Sequence, residues 1–274
     1  RGLVDTFCPV VMPYYGGKFM MSKKLIQMLP FHKRYFEVFA GGLSMFFRKQ
    51  KVQWNVVNDI DNDIINLYIC VLKKFDILKE HIYWLPRSRK LFIDFKANIE
   101  DVNIDIPDPE RAAQYFFVVR NSFNNNLANP FSKDCYWETK IVDELKLSRE
   151  KLDGTTIENL DFREFIPRYK PREGDFFYMD PPYVIADTKK YYRNNFNKDM
   201  HDDLKGMCDL IDDNDGKFMV SYDDVEDIRN LYNDRYYVNT IETKYLGSSP
   251  EKRGDIRTEL VITNYKIKGQ EELF

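Results

Sequence analysis

Histidine and cysteine are scarce, three and four residues among 274, and neither type clusters. His32, His81 and His201 lie far apart, and Cys8, Cys70, Cys135 and Cys208 contain no C-x-x-C pair. No structural metal is therefore expected, and the thiols read as reduced. No apolar run approaches the ~20 residues that cross a bilayer, and the first residues show no basic-then-apolar leader pattern. The chain opens on Arg1 rather than Met, so a few residues are expected to be either missing or vector-derived. A surplus of one charge is missing as well. With 41 Lys and Arg against 44 Asp and Glu, the net charge of −3 excludes a protein that coats nucleic acid through bulk positive charge, and leaves room for a local basic cleft. Repeats and low-complexity tracts are also absent.

What the chain has in quantity is aromatic residues, 21 Phe and 18 Tyr, enough to fill a core and leave rings for stacking. Its length fits one α/β domain with a sizeable insertion, or two small domains. The run Phe176-Phe177-Tyr178-Met179 reads as a buried strand, stopped at once by Asp180-Pro181-Pro182-Tyr183. In open α/β sheets the ligand crevice lies at the carboxyl ends of the strands, so Asp180 is expected there on a rigid support. Two prolines fix two φ angles and remove two N–H donors, which leaves an acceptor-rich corner. The Asp180 carboxylate and the Pro181 carbonyl can each accept one hydrogen of an exocyclic amine, while the Tyr183 ring stacks on the base that carries it. Taken alone, Asp-Pro-Pro more often marks an ordinary exit from a strand.

Other segments weigh on that choice. Tyr14-Tyr15-Gly16-Gly17-Lys18 precedes a helical pattern at Leu25, Ile26 and Leu29, and fits a close backbone approach to a ligand or a plain helix cap equally well. Tyr35 to Ala40 reads as a strand that Gly41-Gly42-Leu43-Ser44 turns into a helix near Met45, the way doubly wound folds seat a nucleoside cofactor. The pattern F-x-G-G-x-S is not G-x-G-x-x-G, which disfavours a nicotinamide enzyme. A second strand, Trp54 to Asn58, ends at Asp59, placed to accept from ribose hydroxyls or else to cap the next helix, a task open to Asp61 as well. Between residues 73 and 150 the alternation lapses. Arg87, Arg89, Lys90, the helical run Ala112 to Val119, Arg120-Asn121-Ser122-Phe123-Asn124-Asn125-Asn126 and Lys133 suit either a surface that meets phosphates and base edges or a solvated helical insertion. Alternation resumes with strands at Thr156 to Leu160, Phe176 to Met179 and Lys217 to Tyr222, and helices at Leu204 to Ile211 and Val225 to Tyr232. Lys189, Lys190, Tyr191, Tyr192 and Arg193 form a basic-aromatic stretch. Tyr236 to Ile241 and Glu259 to Tyr265 are expected to pair as closing antiparallel strands around a polar loop at residues 247–254.

Tyr-Gly-Gly-Lys, Phe-x-Gly-Gly-x-Ser, the acidic end of the second strand, Asp161-Phe162, Asp-Pro-Pro-Tyr and Thr258-Glu259-Leu260 stand in the order found in the Dam-like, D12-class adenine-specific DNA methyltransferases, and the chain resembles that family over nearly its whole length. The resemblance implies a Rossmann-like α/β fold that uses S-adenosylmethionine, with a mixed sheet whose last strand is antiparallel. It implies a catalytic domain of residues 1–72 and 151–274, and a mostly helical target-recognition insertion at 73–150. Tyr14, Lys18, Phe39, Gly41, Asp59, Asp161, Phe162 and Asp180 would line the cofactor pocket, and Asp180, Pro181, Pro182 and Tyr183 would grip a flipped-out adenine. Arg87, Arg120, Asn121, Asn124, Asn126, Lys189 and Arg193 are then the expected contacts to double-stranded DNA. A restriction endonuclease is the further partner the resemblance admits, and the cytoplasm of a bacterial or phage-infected cell is the expected location. Leu43 and the Arg120-Asn121-Ser122-Phe123 segment depart from the family pattern. Cytosine N4 or RNA as the target, and a non-catalytic DNA-binding protein, are the competing readings; the motif order favours adenine in DNA.

Overall fold

The computed structural model describes residues 11, 18–99, 104–125, 127–133, 135, 137–138, 140–182, 196–244 and 256–267. Tyr14, Asn126, Tyr183, Lys189 and Arg193 lie outside the described residues, as do the side chains of Lys18 and Asn124. In chain order the elements begin with α1 (Lys18–Ile26), β1 (Arg34–Glu37), α2 (Ser44–Arg48), β2 (Trp54–Asn58) and α3 (Asn62–Lys73). Four helices follow: α4 (Phe75–Tyr83), α5 (Arg89–Asn98), α6 (Pro109–Asn121) and α7 (Ile141–Leu152). The second half runs β3 (Thr156–Glu158), α8 (Phe162–Arg168), β4 (Asp175–Met179), α9 (Lys198–Asp213), β5 (Lys217–Asp223), α10 (Glu226–Tyr232), β6 (Tyr237–Lys244) and β7 (Ile256–Thr263). The first strand stops at Glu37, three residues short of the expected Ala40, because Val38 to Ala40 already bend into the glycine turn.

The strands join in one sheet ordered β3-β2-β1-β4-β5-β7-β6. Pairings from β3 to β5 are parallel, and β7 runs antiparallel to both β5 and β6, the mixed sheet with an antiparallel last strand that was expected. Alternation along the central strands sorts their side chains to two faces. Tyr35, Val57, Phe176, Tyr178, Met219 and Val261 join one hydrophobic cluster with residues of α1 to α7. Phe36, Val56, Phe177, Met179, Val220 and Leu260 join another with α8, α9 and α10. Every residue of β4 is buried, which is why it reads as an unbroken apolar run. Cross-strand ring pairs lock it to β1: Phe36 stacks on Phe177 with centroids 4.3 Å apart. At the amino end, Arg34 and Asp175 face each other in register and form a buried bidentate ion pair.

The segment with the lapsed pattern is helical and tightly attached. Asn66 of α3 exchanges two hydrogen bonds with the backbone of Asp108, whose side chain caps α6. The Arg111 guanidinium pairs with the buried Asp63 carboxylate at 2.7 Å. Among the described residues no helix is long and apolar enough to cross a membrane.

Candidate active site

The strand order reverses between β1 and β4: β2 and β3 extend the sheet to one side, β5 to the other. In such sheets the crevice opens outside the carboxyl ends at that reversal. Going across those ends, the chain places Asp161 after β3, Asp59 after β2, Phe39 and Gly41 after β1, and Asp180 after β4. Residues more than a hundred positions apart thus meet along one edge of the sheet.

The turn after β1 is held from three sides. Ala40 N–H donates to the Asn58 carbonyl at 2.7 Å, the Tyr68 hydroxyl donates to the Gly41 carbonyl at 2.6 Å, and Gly41 N–H donates to Asp59 Oδ2 at 2.9 Å. Gly41 sits at φ +44° and Leu43 at φ +52°. Left-handed backbone costs a branched residue about 1–2 kcal/mol; Leu43 offsets that cost by burying its whole side chain. The two readings of Asp59 separate here. Asp61 caps α3, accepting from Asp63 and Ile64 N–H, while Asp59 accepts from Gly41 N–H and Asp61 N–H and faces the glycine turn. Burial first, and then the Asp61 carboxylate, push the Asp59 carboxyl up to about 7.

Asn58, fully buried, ties three strand ends together: its amide donates to the Val38 and Leu160 carbonyls and its Oδ1 accepts from Leu160 N–H. That clamp sets the position of Asp161 and Phe162. Asp161 caps α8 and binds Arg163, whose hydrogen bonds hold its carboxyl below the usual range. Phe39, Phe162 and Phe196 form a triangle of rings with centroids 5.6 to 5.9 Å apart, an apolar wall beside the turn. Neither Asn58 nor Phe196 was singled out from sequence. A polar residue closing the otherwise apolar β2 is a weak signal for the first; nothing marks the second.

Glu37, another residue missed in the sequence, lies buried as the last residue of β1. Its carboxylate accepts from the Tyr35 hydroxyl at 2.7 Å and from Phe46 N–H at 2.9 Å, which anchors the start of α2. Burial outweighs those bonds, with Asp180 adding to the rise, and pushes the carboxyl from 4.5 up to about 8. A carboxyl whose folded pKa is raised contributes its full stability at low pH and loses it as pH climbs through the folded value. The melting temperature of Glu37→Gln relative to the unaltered protein should therefore rise between pH 4.5 and about 8 and level off above. A difference that does not change with pH would show Glu37 ionising as readily in the folded chain as in the unfolded one.

Of the expected DNA contacts, Arg87, Arg120 and Asn121 have described side chains, and Cys135 links two of them, accepting from Arg87 Nε and donating to Asn121 Oδ1. Arg87 is exposed, yet its guanidinium donates to the Ser132 and Lys133 carbonyls and lies 4.7 Å from the Phe131 ring centroid. Arg120 is mostly buried: it pairs with Glu144 on α7 at 3.0 Å and donates to the Val11 carbonyl at 3.2 Å. Asn121 is completely buried, its amide donating to the Phe117 carbonyl and accepting from the Cys135 thiol.

A family model described as D12 class N6 adenine-specific DNA methyltransferase matches residues 14–246. The chain is 28% identical to the Type II methyltransferase M1.LlaDCHI of Lactococcus lactis subsp. cremoris over 269 residues, covering 91% of this chain and 93% of that protein. It is 24% identical to the DNA N-6-adenine-methyltransferase of Escherichia phage P1 and 23% identical to the modification methylase StsI of Streptococcus sanguinis. Those matches cover 90% and 93% of this chain, but only 34% and 42% of the two relatives.

Proposed function

Because this chain belongs to the D12 class of N6 adenine-specific DNA methyltransferases, we propose that it takes its methyl group from S-adenosylmethionine and delivers it to an adenine flipped out of duplex DNA at a specific site. The observation that carries this reading is the convergence of Asp59, Gly41, Phe39 and Asp180 on the carboxyl ends of neighbouring strands at the sheet's reversal point.

The residues present fit that cofactor. Asp59 offers a carboxylate at the end of β2, where ribose hydroxyls would donate to it beside the Gly41 and Asp61 N–H groups that it already accepts from. Phe39, Phe162 and Phe196 supply a ring-lined wall for the adenine of the cofactor. Tyr14 and Lys18 join the pocket by resemblance. When bound, S-adenosylmethionine would supply a sulfonium methyl for adenine N6 to attack, with the neutral thioether as leaving group and one proton to be shed from the methylated amine. The amine is a poor nucleophile because its lone pair is delocalised into the ring. Asp180 and the Pro181 carbonyl accept its two hydrogens and favour the pyramidal form, so positioning and electrostatics carry the catalysis. Extruding the base costs about a few kcal/mol, and stacking on Tyr183 offsets about 1–3 kcal/mol of that.

Residues 73–150 are proposed to meet the DNA, together with Lys189 and Arg193 from the catalytic half. Arg87, Asn124 and Asn126 are the direct contacts in this segment. Arg120 and Asn121 act indirectly, since Arg120 braces α6 against α7 and against Val11, and Asn121 holds the loop that carries Cys135. A cognate restriction endonuclease and a bacterial or phage-infected cytoplasm complete the proposal, the named relatives being those of bacteria and a phage. Sequencing DNA from cells that express the chain, by a method sensitive to N6-methyladenine, should reveal modified adenines within one short recurring sequence. Unmodified DNA, or methyl groups on cytosine N4, would overturn the assignment.

A further inference from the structure

Ser221 interrupts the apolar run Phe218-Met219-Val220 in β5, and it is completely buried. A hydroxyl in that position costs stability unless it is bonded, and an alanine would pack as well. The register explains its presence. Met179 of β4 lies opposite Val220, so one step further along the two parallel strands Asp180 comes level with Ser221. The Ser221 hydroxyl donates to Asp180 Oδ1 at 3.2 Å and lies 3.1 Å from the Tyr178 hydroxyl. An ionised carboxylate only accepts, so the Ser221 proton is committed to Asp180, and the remaining bond must be donated by Tyr178. Burial, reinforced by the charge of Asp180, pushes the Tyr178 phenol far above its ordinary range and keeps that proton in place. All hydrogens in the chain therefore point the same way, from Tyr178 to Ser221 to Asp180.

Among the described residues, acids and a further phenol also act on this corner. Glu37 reaches it from β1, Glu259 from β7, and Tyr222 and Asp223 from β5. A neutral hydroxyl, itself held by the Tyr178 phenol, steadies the carboxylate in those surroundings without cancelling its charge. We propose that Ser221, backed by Tyr178, is a positioning residue for methyl transfer: it fixes the orientation of the Asp180 carboxylate toward the target amine and spreads part of its charge. The inference rests on Asp180 being the acceptor of the amine, as proposed above.

Steady-state methylation of site-bearing duplex DNA with radiolabelled cofactor tests it. Losing a hydrogen bond to a charged group should lower kcat of Ser221→Ala about ten- to hundredfold, with KM for DNA and cofactor, and the melting temperature, nearly unchanged. Tyr178→Phe, which leaves Ser221 in place, should lose less. Ser221→Thr, which restores the hydroxyl, should recover most of the rate. An unchanged kcat in Ser221→Ala overturns the proposal, and so does a loss that appears only in KM or melting temperature, or one that Thr fails to rescue in a variant that folds normally. Asp180→Ala assayed alongside separates the two readings. An inactive Asp180→Ala beside a fully active Ser221→Ala removes the relay alone, whereas an active Asp180→Ala removes the reading beneath it.

Discussion

Replacing Asp180 with Ala should cut methyl transfer by about 10³- to 10⁴-fold while DNA binding stays within about twofold of the unaltered enzyme. The size of the effect follows from what the residue does. Adenine N6 donates its lone pair into the ring, and an acceptor for its hydrogens is what returns that pair to the nitrogen as the methyl transfers. Removing the carboxylate leaves the Pro181 carbonyl alone and takes away the negative charge that balances the cation forming on nitrogen. It also strands the Ser221 hydroxyl, whose bond ends on Asp180 Oδ1. Affinity for DNA comes mainly from phosphate contacts elsewhere, so it should survive. Asp180→Asn keeps one acceptor oxygen but loses the charge and exchanges the other oxygen for an NH2 donor, which places its rate between Ala and the unaltered enzyme. Filter-binding of radiolabelled duplex gives the rates, and a gel-shift titration gives the affinities. An Asp180→Ala enzyme that keeps a tenth of its activity would move the catalytic role to another residue.

Much of the site was legible because its parts are short-range. Asp180 follows directly on β4 and Asp59 directly on β2, and Gly41 stands in the short turn after β1, so strand ends and site residues coincide in sequence as they do in space. The closing antiparallel pair was legible for the same reason, as two β-rich runs near the end of the chain. What was hidden depends on register and on distant partners. Ser221 lies 41 positions from Asp180, and only the pairing of β4 with β5 makes them neighbours. Phe196 looks like any aromatic until Phe39 and Phe162 are seen to surround it. Arg120 and Asn121 stand in a polar run that reads as surface, yet the partners that take them inside, Glu144, Val11, Phe117 and Cys135, are scattered along the chain. Hydrophobic periodicity reports which residues prefer burial; it says little about a charged or amide side chain whose burial is made tolerable by one specific partner.

Asp59→Ala should weaken binding of S-adenosylmethionine about a hundredfold or more, with little change in the fold. Two hydroxyls that donate to an ionised carboxylate lose both partners at once, and each such bond is worth more than a neutral one. The helix that follows keeps its start, because Asp61 is the residue that caps it; the fold loses the acceptor for the Gly41 and Asp61 N–H groups, about 1 kcal/mol each. The raised carboxyl adds a pH signature. With its pKa pushed up to about 7, Asp59 is protonated on the acid side and gives up part of its acceptor capacity there, so affinity should rise as pH passes through 7 and then level off. Asp59→Asn cannot ionise. Comparing it with the unaltered protein by calorimetry at about pH 6 and about pH 8 cancels the titration of the cofactor's own groups, and the surplus gain of the unaltered protein belongs to Asp59. Equal gains in both proteins would mean that Asp59 is already ionised across that range, and an unchanged affinity in Asp59→Ala would take the residue out of the pocket.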